Sequence, residues 1–149
     1  MTMRKLLHTE NTTAFTILRL MLGFLIFAHG SQKVLGWFDG RGFSGTMHFF
    51  TAYLHIPAPF AFLAIAAEFF GGIGLIFGLL TRVAAFGISV NMVVAIFKVH
   101  LPFGLFANWT GTQKGEGIEY HLLVLAVTTC LMIKGGGAFS IDRRLAGRR

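Results

Sequence analysis

"FLIFAHGSQKVLGW", Phe24 to Trp37, begins as hydrocarbon of the kind that faces lipid, then admits His29, Gln32 and Lys33 before the apolar run is finished. Ionisable groups inside a membrane-length run are costly. They must pair, line a wet or ligand-filled space, or reach the headgroups. If the stretch is a membrane helix with a polar inward face, the fold follows from it.

The composition favours the membrane. Of 149 residues, 54% are hydrophobic and only 13% charged, with a mean hydropathy of +0.69. A soluble domain carries roughly 25% charged residues. The polar residues here are too few to cover a globule, and lipid supplies the missing solvent. The length predicts one domain, residues 1–149. The net charge of +7 invites nucleic acid. Its basic residues, however, sit at the edges of apolar runs and not along one amphipathic face. They read as membrane topology, with no nucleic-acid partner. The closing "DRRLAGRR" reads as an orientation signal and a headgroup anchor. Cys130 is the only cysteine, so an intramolecular disulfide and a CxxC thiol exchange in this chain are excluded. Within its apolar run it reads as a small buried hydrophobe. Arg4 and Lys5 precede the first run, but that run has membrane length and no small-residue cleavage site, so it reads as a span and not a leader.

Four segments supply the roughly 20 apolar residues a span needs: 14–35, 58–80, 83–101 and 118–135. Pro102 closes the third, and Gly135 to Gly137 stop the fourth. No strand alternation is sustained. The expected fold is an all-α membrane protein, an antiparallel four-transmembrane-helix bundle. Arg4, Lys5, Arg82, Lys134, Arg143, Arg144, Arg148 and Arg149 then share one side, which places both termini in the cytoplasm. In the loop "RGFSGTMHFFTAYLHIPAP", Phe43, Met47, Phe50 and Leu54 recur on one helical face behind Ser44, a suitable N-cap. A short amphipathic helix is predicted there, lying on the outer leaflet or closing as a lid. His48 and His55 on it read as solvent-facing. Trp109, in the second long loop, reads as an interface anchor.

The polar residues of the spans share faces with small ones. Arg19, His29 and Lys33 fall within an arc of about 80° on span one, near Gly23 and Gly30. Glu68 shares a face with Ala61, Ala64, Gly71 and Gly72 on span two. Asn91 and Lys98 are about 20° off one line on span three. His121 shares a face with Leu125, Thr128 and Met132 on span four, with Glu119 at its start. Small residues let helices approach, so these faces point inward. By helical rise, Arg19 lies about 8 Å from the cytoplasmic end, Asn91 about 12 Å, Glu68 about 18 Å and His29 about 22 Å. Lys98, His121, Glu119 and Lys33 follow at about 23–29 Å. Polar groups thicken toward the outer face, as a pocket opening there requires.

The chain resembles the DoxX family of small four-helix bacterial membrane proteins. The resemblance is carried by "RLMLGFLIFAHGSQKVLGWF", "AEFFGGIGLIFGLLTR", "VHLPFGLF", "GIEYHLLVLA" and the closing "GGGAFSID". It implies a four-helix bundle in the bacterial inner membrane. Family members carry oxidoreductase names or are likened to a subunit of a quinone oxidoreductase, and some are linked to scaffolds for redox partners. By position the motif residues are Arg19, His29, Gly30, Lys33, Glu68, Arg82, Glu119 and Tyr120; His121 departs from the pattern.

The resulting expectation is a quinone-linked redox component. Glu68 and His29 are its candidate catalytic residues. Arg19, Lys33, Asn91, Lys98, Glu119 and His121 are its candidate ligand-binding residues. Quinone needs an apolar slot, hydrogen-bond donors for its oxygens and a proton source. The chain offers no electron carrier, so a redox partner protein must supply electrons. A haem or metal on His29, His100 and His121 is disfavoured, because no i, i+4 histidine pair exists. The alternative is a non-catalytic scaffold or a proton or small-solute pathway, with Gly74 and Gly78 spaced for packing in a homo-oligomer.

Overall fold

Thr12 is extended and its hydroxyl accepts from the Ala14 amide at 3.3 Å, which starts the first helix, α1 (Thr13–Val34), in the computed structural model. The structure describes residues 7–147. A short helix, α2 (Gly42–His48), runs into a π-helical turn, Phe49–Tyr53. Pro57 leads into α3 (Ala58–Phe77), which ends on Gly78 in the left-handed conformation, φ 65°. α4 (Thr81–Ala95) continues as a second π turn, Ile96–His100, and a 3-10 turn, Leu101–Phe103. α5 (Glu119–Lys134) stops at Gly135, and α6 (Ile141–Leu145) is capped by Ser140. No strand occurs among the described residues.

Among the described residues three helices are long and apolar enough to cross a membrane: Thr13–Val34, Ala58–Phe77 and Thr81–Phe103. α5 has 16 residues and rises only about 24 Å, short of the roughly 30 Å hydrocarbon core. α1 packs on α3 and α5, and α4 packs on the same two, so the four long helices close a ring. Leu22, Ile26, Leu75, Ile88, Val124 and Leu131 fill it. Phe24, Phe60, Phe70, Phe86, Phe97 and Leu123 lie exposed on the outside, an apolar exterior suited to lipid.

Several expectations change. Ser44 lies inside α2 and not before it, since the helix already begins at Gly42 and has no side-chain cap. Thr46, not Phe43, is the buried residue of α2. Pro102 sits within the 3-10 turn instead of ending the helix before it, because the first turn needs no amide from that residue. On α5 the buried stripe is His121, Val124, Thr128 and Leu131, with Leu125 and Met132 only half-buried. Cys130 is exposed on the apolar exterior and is not a core residue.

Glycines set the closeness of α1 and α3. A Cβ on Gly30 would stand 2.6 Å from the Phe69 Cα, and one on Gly72 would stand 2.6 Å from the Phe27 amide nitrogen. The two backbones therefore touch, as inward small residues predict. Gly78 serves differently from the expectation of an oligomer face. It is the α3 terminus and lies against Ser140 and the Arg19 guanidinium of its own chain.

The end of the ring at the α3–α4 turn is closed by charged side chains and backbone. Arg19 Nε donates to Gly136 O at 2.7 Å, Nη1 to Leu75 O at 2.7 Å and to Ile76 O, and Nη2 to Phe139 O at 2.8 Å. The last carbonyls of α3 have no helical partner and take a cation well. Asp142 accepts from the Leu80 amide at 2.7 Å and the Thr81 amide at 2.8 Å, which caps α4 from 61 or 62 residues downstream. Arg82 donates to Met132 O at 2.7 Å and to Ile133 O at 3.0 Å, the corresponding end of α5.

Candidate functional site

At the opposite end the ring holds a cavity of about 520 Å³. That lies within the roughly 300–1,000 Å³ usual for small-molecule sites. α1 contributes Ile26, His29 and Lys33; α3 contributes Ala64 and Glu68. Asn91, Met92, Val94 and Ala95 come from α4, and Lys98, Val99 and His100 from its π turn. Tyr120 and His121 open α5. Phe49, Phe50, Leu54 and Ile56 complete the wall from the π turn after α2 and the loop that follows.

Six of the eight expected site residues line this cavity: His29, Lys33, Glu68, Asn91, Lys98 and His121. Arg19 does not. It is 2% exposed and fully engaged by carbonyls at the other end of the ring, where it ties helix ends together. It shares a helical stripe with His29, but the 10 residues between them, about 15 Å, put it at the opposite end of the ring. Glu119 is also outside. Its carboxylate accepts from the Ala107 amide at 2.9 Å and from Trp109 Nε1 at 3.3 Å, and so fastens the loop before α5.

The polar lining is ordered by partners. The Lys33 ammonium forms an ion pair with Glu68 Oε2, and both side chains are largely withdrawn from solvent. Asn91 Nδ2 donates to Ala64 O at 2.6 Å, so the amide holds α3 against α4 as well as facing the cavity. His29 packs near Tyr120, with ring centroids 5.8 Å apart, and Tyr120 near His121 at 5.5 Å. His121 stacks on His100 at 4.1 Å, and His100 Nδ1 lies 2.8 Å from the Glu116 carbonyl oxygen. Among the described residues no group of three or more His, Cys, Asp or Glu side chains is placed to hold a metal ion. Two polar atoms of adjacent residues, Tyr120 Oη and His121 Nδ1, are buried without any hydrogen-bond partner. Leaving such an atom unsatisfied costs about 1–3 kcal/mol.

The spacing of the sequence did not assign Tyr120, Glu116, Phe49 or Phe50 to the cavity. Tyr120 carried a signal only as part of the "EY" motif. The other three reach the cavity through π turns and loop closure, which have no periodicity to read.

A model of the DoxX family matches residues 14–101. Inner membrane protein YqjF of Escherichia coli is 34% identical over 110 residues, covering 74% of this chain and 79% of that protein. The Bacillus subtilis protein named "Putative oxidoreductase CatD" is 27% identical over 126 residues, covering 85% of this chain and 82% of its own. No solved structure gives a significant match. The matched segment contains the close-packed α1 and α3, the Lys33–Glu68 pair and all of α4 with its π turn, and on that ground the chain belongs to the DoxX family of membrane proteins.

Proposed function

We propose that this protein is a quinone-linked redox component of the bacterial inner membrane, with the cavity as the ring site. One observation carries the reading: a largely apolar cavity is lined by Tyr120 and His121, each of which holds a buried polar atom, Oη and Nδ1, with no hydrogen-bond partner. A quinone ring fills an apolar slot, and its oxygens are the kind of partner those atoms lack. Reducing a quinone takes two electrons and two protons. Glu68 and His29 border the cavity and are the groups able to hold and release protons there. Lys33 pairs with the Glu68 carboxylate on the cavity wall, so this carboxyl group is positioned by α1 as well as by α3. The electrons come from a partner protein, as the chain has no thiol pair and no dinucleotide fingerprint. The oxidoreductase name of the Bacillus relative is in line with this reading.

The same reading takes the chain through the bilayer four times, with α5 as the short fourth crossing and both termini in the cytoplasm. The cavity then opens toward the outer face. The basic groups at the α3–α4 turn and the end of α5, Arg82, Lys134, Arg143 and Arg144, support that orientation. The carbonyl cage around Arg19 fills the ring's other end, which favours a one-ended pocket over a continuous solute path.

The test is quinone binding by the purified protein in detergent, measured by equilibrium dialysis. Wild type binds, and Glu68→Gln and His29→Ala bind at least tenfold more weakly. With no electron donor added there is no turnover. Solute flux into liposomes by a protein that binds no quinone replaces this reading with the transport alternative.

A further inference from the structure

We infer that the cavity selects a ligand whose ring oxygen is ionised, an acidic hydroxyquinone and not a neutral quinone, and that Lys98 makes the selection. The inference rests on the quinone reading and names the substrate class for the same site.

The argument is one of elimination among the charged groups bordering the cavity. Lys33 and Glu68 neutralise each other. The Glu116 carboxylate is engaged, accepting from the Asn108 amide at 2.7 Å, while its carbonyl oxygen lies 2.8 Å from His100 Nδ1. Lys98 alone lines the cavity with a full charge and no hydrogen bond or ion pair among the described residues. It stands on the π turn Ile96–His100. Such turns insert a residue into the helical register and re-aim the side chains they carry, and they occur often at functional sites. Here the turn brings Lys98, Val99 and His100 to the cavity together.

The same cavity is lined by the apolar Val94, Ala95, Leu54 and Ile56, while Lys98 itself is exposed. An anion placed there gains a charge-assisted contact with the ammonium. A neutral quinone of the same shape gains only the apolar contacts and whatever Tyr120 and His121 offer. The ring of an ionised hydroxyquinone spreads its negative charge over its oxygens. It can therefore meet Lys98 while its ring fills the apolar part of the cavity.

The experiment compares two ligands of nearly equal size by equilibrium dialysis against the detergent-solubilised full chain at neutral pH. One is dimethylnaphthoquinone, which is uncharged. The other is its twin in which one methyl is replaced by the acidic enol hydroxyl. Decanoate is the third probe, an anion without a ring. Wild type is expected to bind the acidic quinone about tenfold more tightly than the neutral one, the scale of one charge-assisted contact. Lys98→Gln brings the two within about twofold, and Lys98→Arg keeps the preference. A lysine held only for lipid headgroups leaves the wild-type ratio near one, and that result overturns the inference, as does a preference that survives Lys98→Gln. Decanoate binding that depends on Lys98, with neither quinone bound, removes the quinone reading and leaves the selection for anions standing. Binding of none of the three overturns both.

Discussion

Lys33 of α1 and Glu68 of α3 meet as an ion pair on the wall of the cavity, across the interface where the two backbones are in contact. Each charge is half of an arrangement that is expensive to break on one side only. Lys33→Met is expected to lower the melting temperature in detergent markedly, on the scale of about 3 kcal/mol, because the carboxylate is left without its partner. The double variant Lys33→Met with Glu68→Gln is expected to recover most of that loss. A thermal-shift series over the four proteins measures the recovery, and simple additivity of the two single effects contradicts the account.

Tyr120 supplies a different readout. Its hydroxyl has no partner in this structure, so Tyr120→Phe removes nothing that stabilises the free protein. The variant is expected to melt at or slightly above the wild-type temperature and to bind quinone about five- to tenfold more weakly, the value of one hydrogen bond of about 1 kcal/mol or somewhat more. A loss of stability with unchanged binding assigns the hydroxyl to the fold instead.

Arg19 is expected to behave in the opposite way. Four carbonyl groups, from Gly136, Leu75, Ile76 and Phe139, depend on its guanidinium. Arg19→Met is expected to destabilise by at least about 3 kcal/mol, since several buried carbonyls then lack donors. Arg19→Lys rescues poorly, because an ammonium cannot reproduce the planar fork. Quinone affinity of whatever fraction remains folded stays near wild type, as the cavity lies at the other end of the ring. Thermal shift and dialysis on the same preparation separate the two effects.

The α1–α3 contact gives a steric test. Gly30→Leu inserts a side chain where even a Cβ stands 2.6 Å from the Phe69 backbone. The helices must part, and the Lys33–Glu68 pair one helical turn further on must part with them. The expected result is loss of folded protein on size-exclusion chromatography. A monodisperse Gly30→Leu variant with intact quinone binding contradicts the packing described.

Much of this architecture is written in helical periodicity. The inward turn of Glu68 followed from Ala61, Ala64, Gly71 and Gly72 beside it, and the same rule faced His29 and Lys33 into the ring. Periodicity gave direction around the helix and the rise per residue gave depth along it, yet Arg19 was kept with His29 as a candidate because they share a stripe, although they serve opposite ends. It also assumes an unbroken helix. The π turns at Phe49–Tyr53 and Ile96–His100 have no compositional mark, so the place of Phe49 in the cavity wall was not readable, whereas Phe50 and Leu54 stood on the apolar face of the helix expected there. Asp142 illustrates a further limit. An aspartate soon after a Gly-rich stop predicts at most a cap for its own short helix, whereas it caps α4 instead. Contacts between segments so far apart leave no trace in local spacing.

That distant cap has a consequence for biosynthesis. When α3 and α4 leave the ribosome, the amides of Leu80 and Thr81 have no carboxylate to bind, and Arg19 has none of the carbonyls of Gly136 and Phe139. The hairpin must enter the bilayer with these groups still hydrated at its edge. They are locked only when the segment around Asp142 has been translated, so closure of this end of the ring follows the synthesis of α3 and α4.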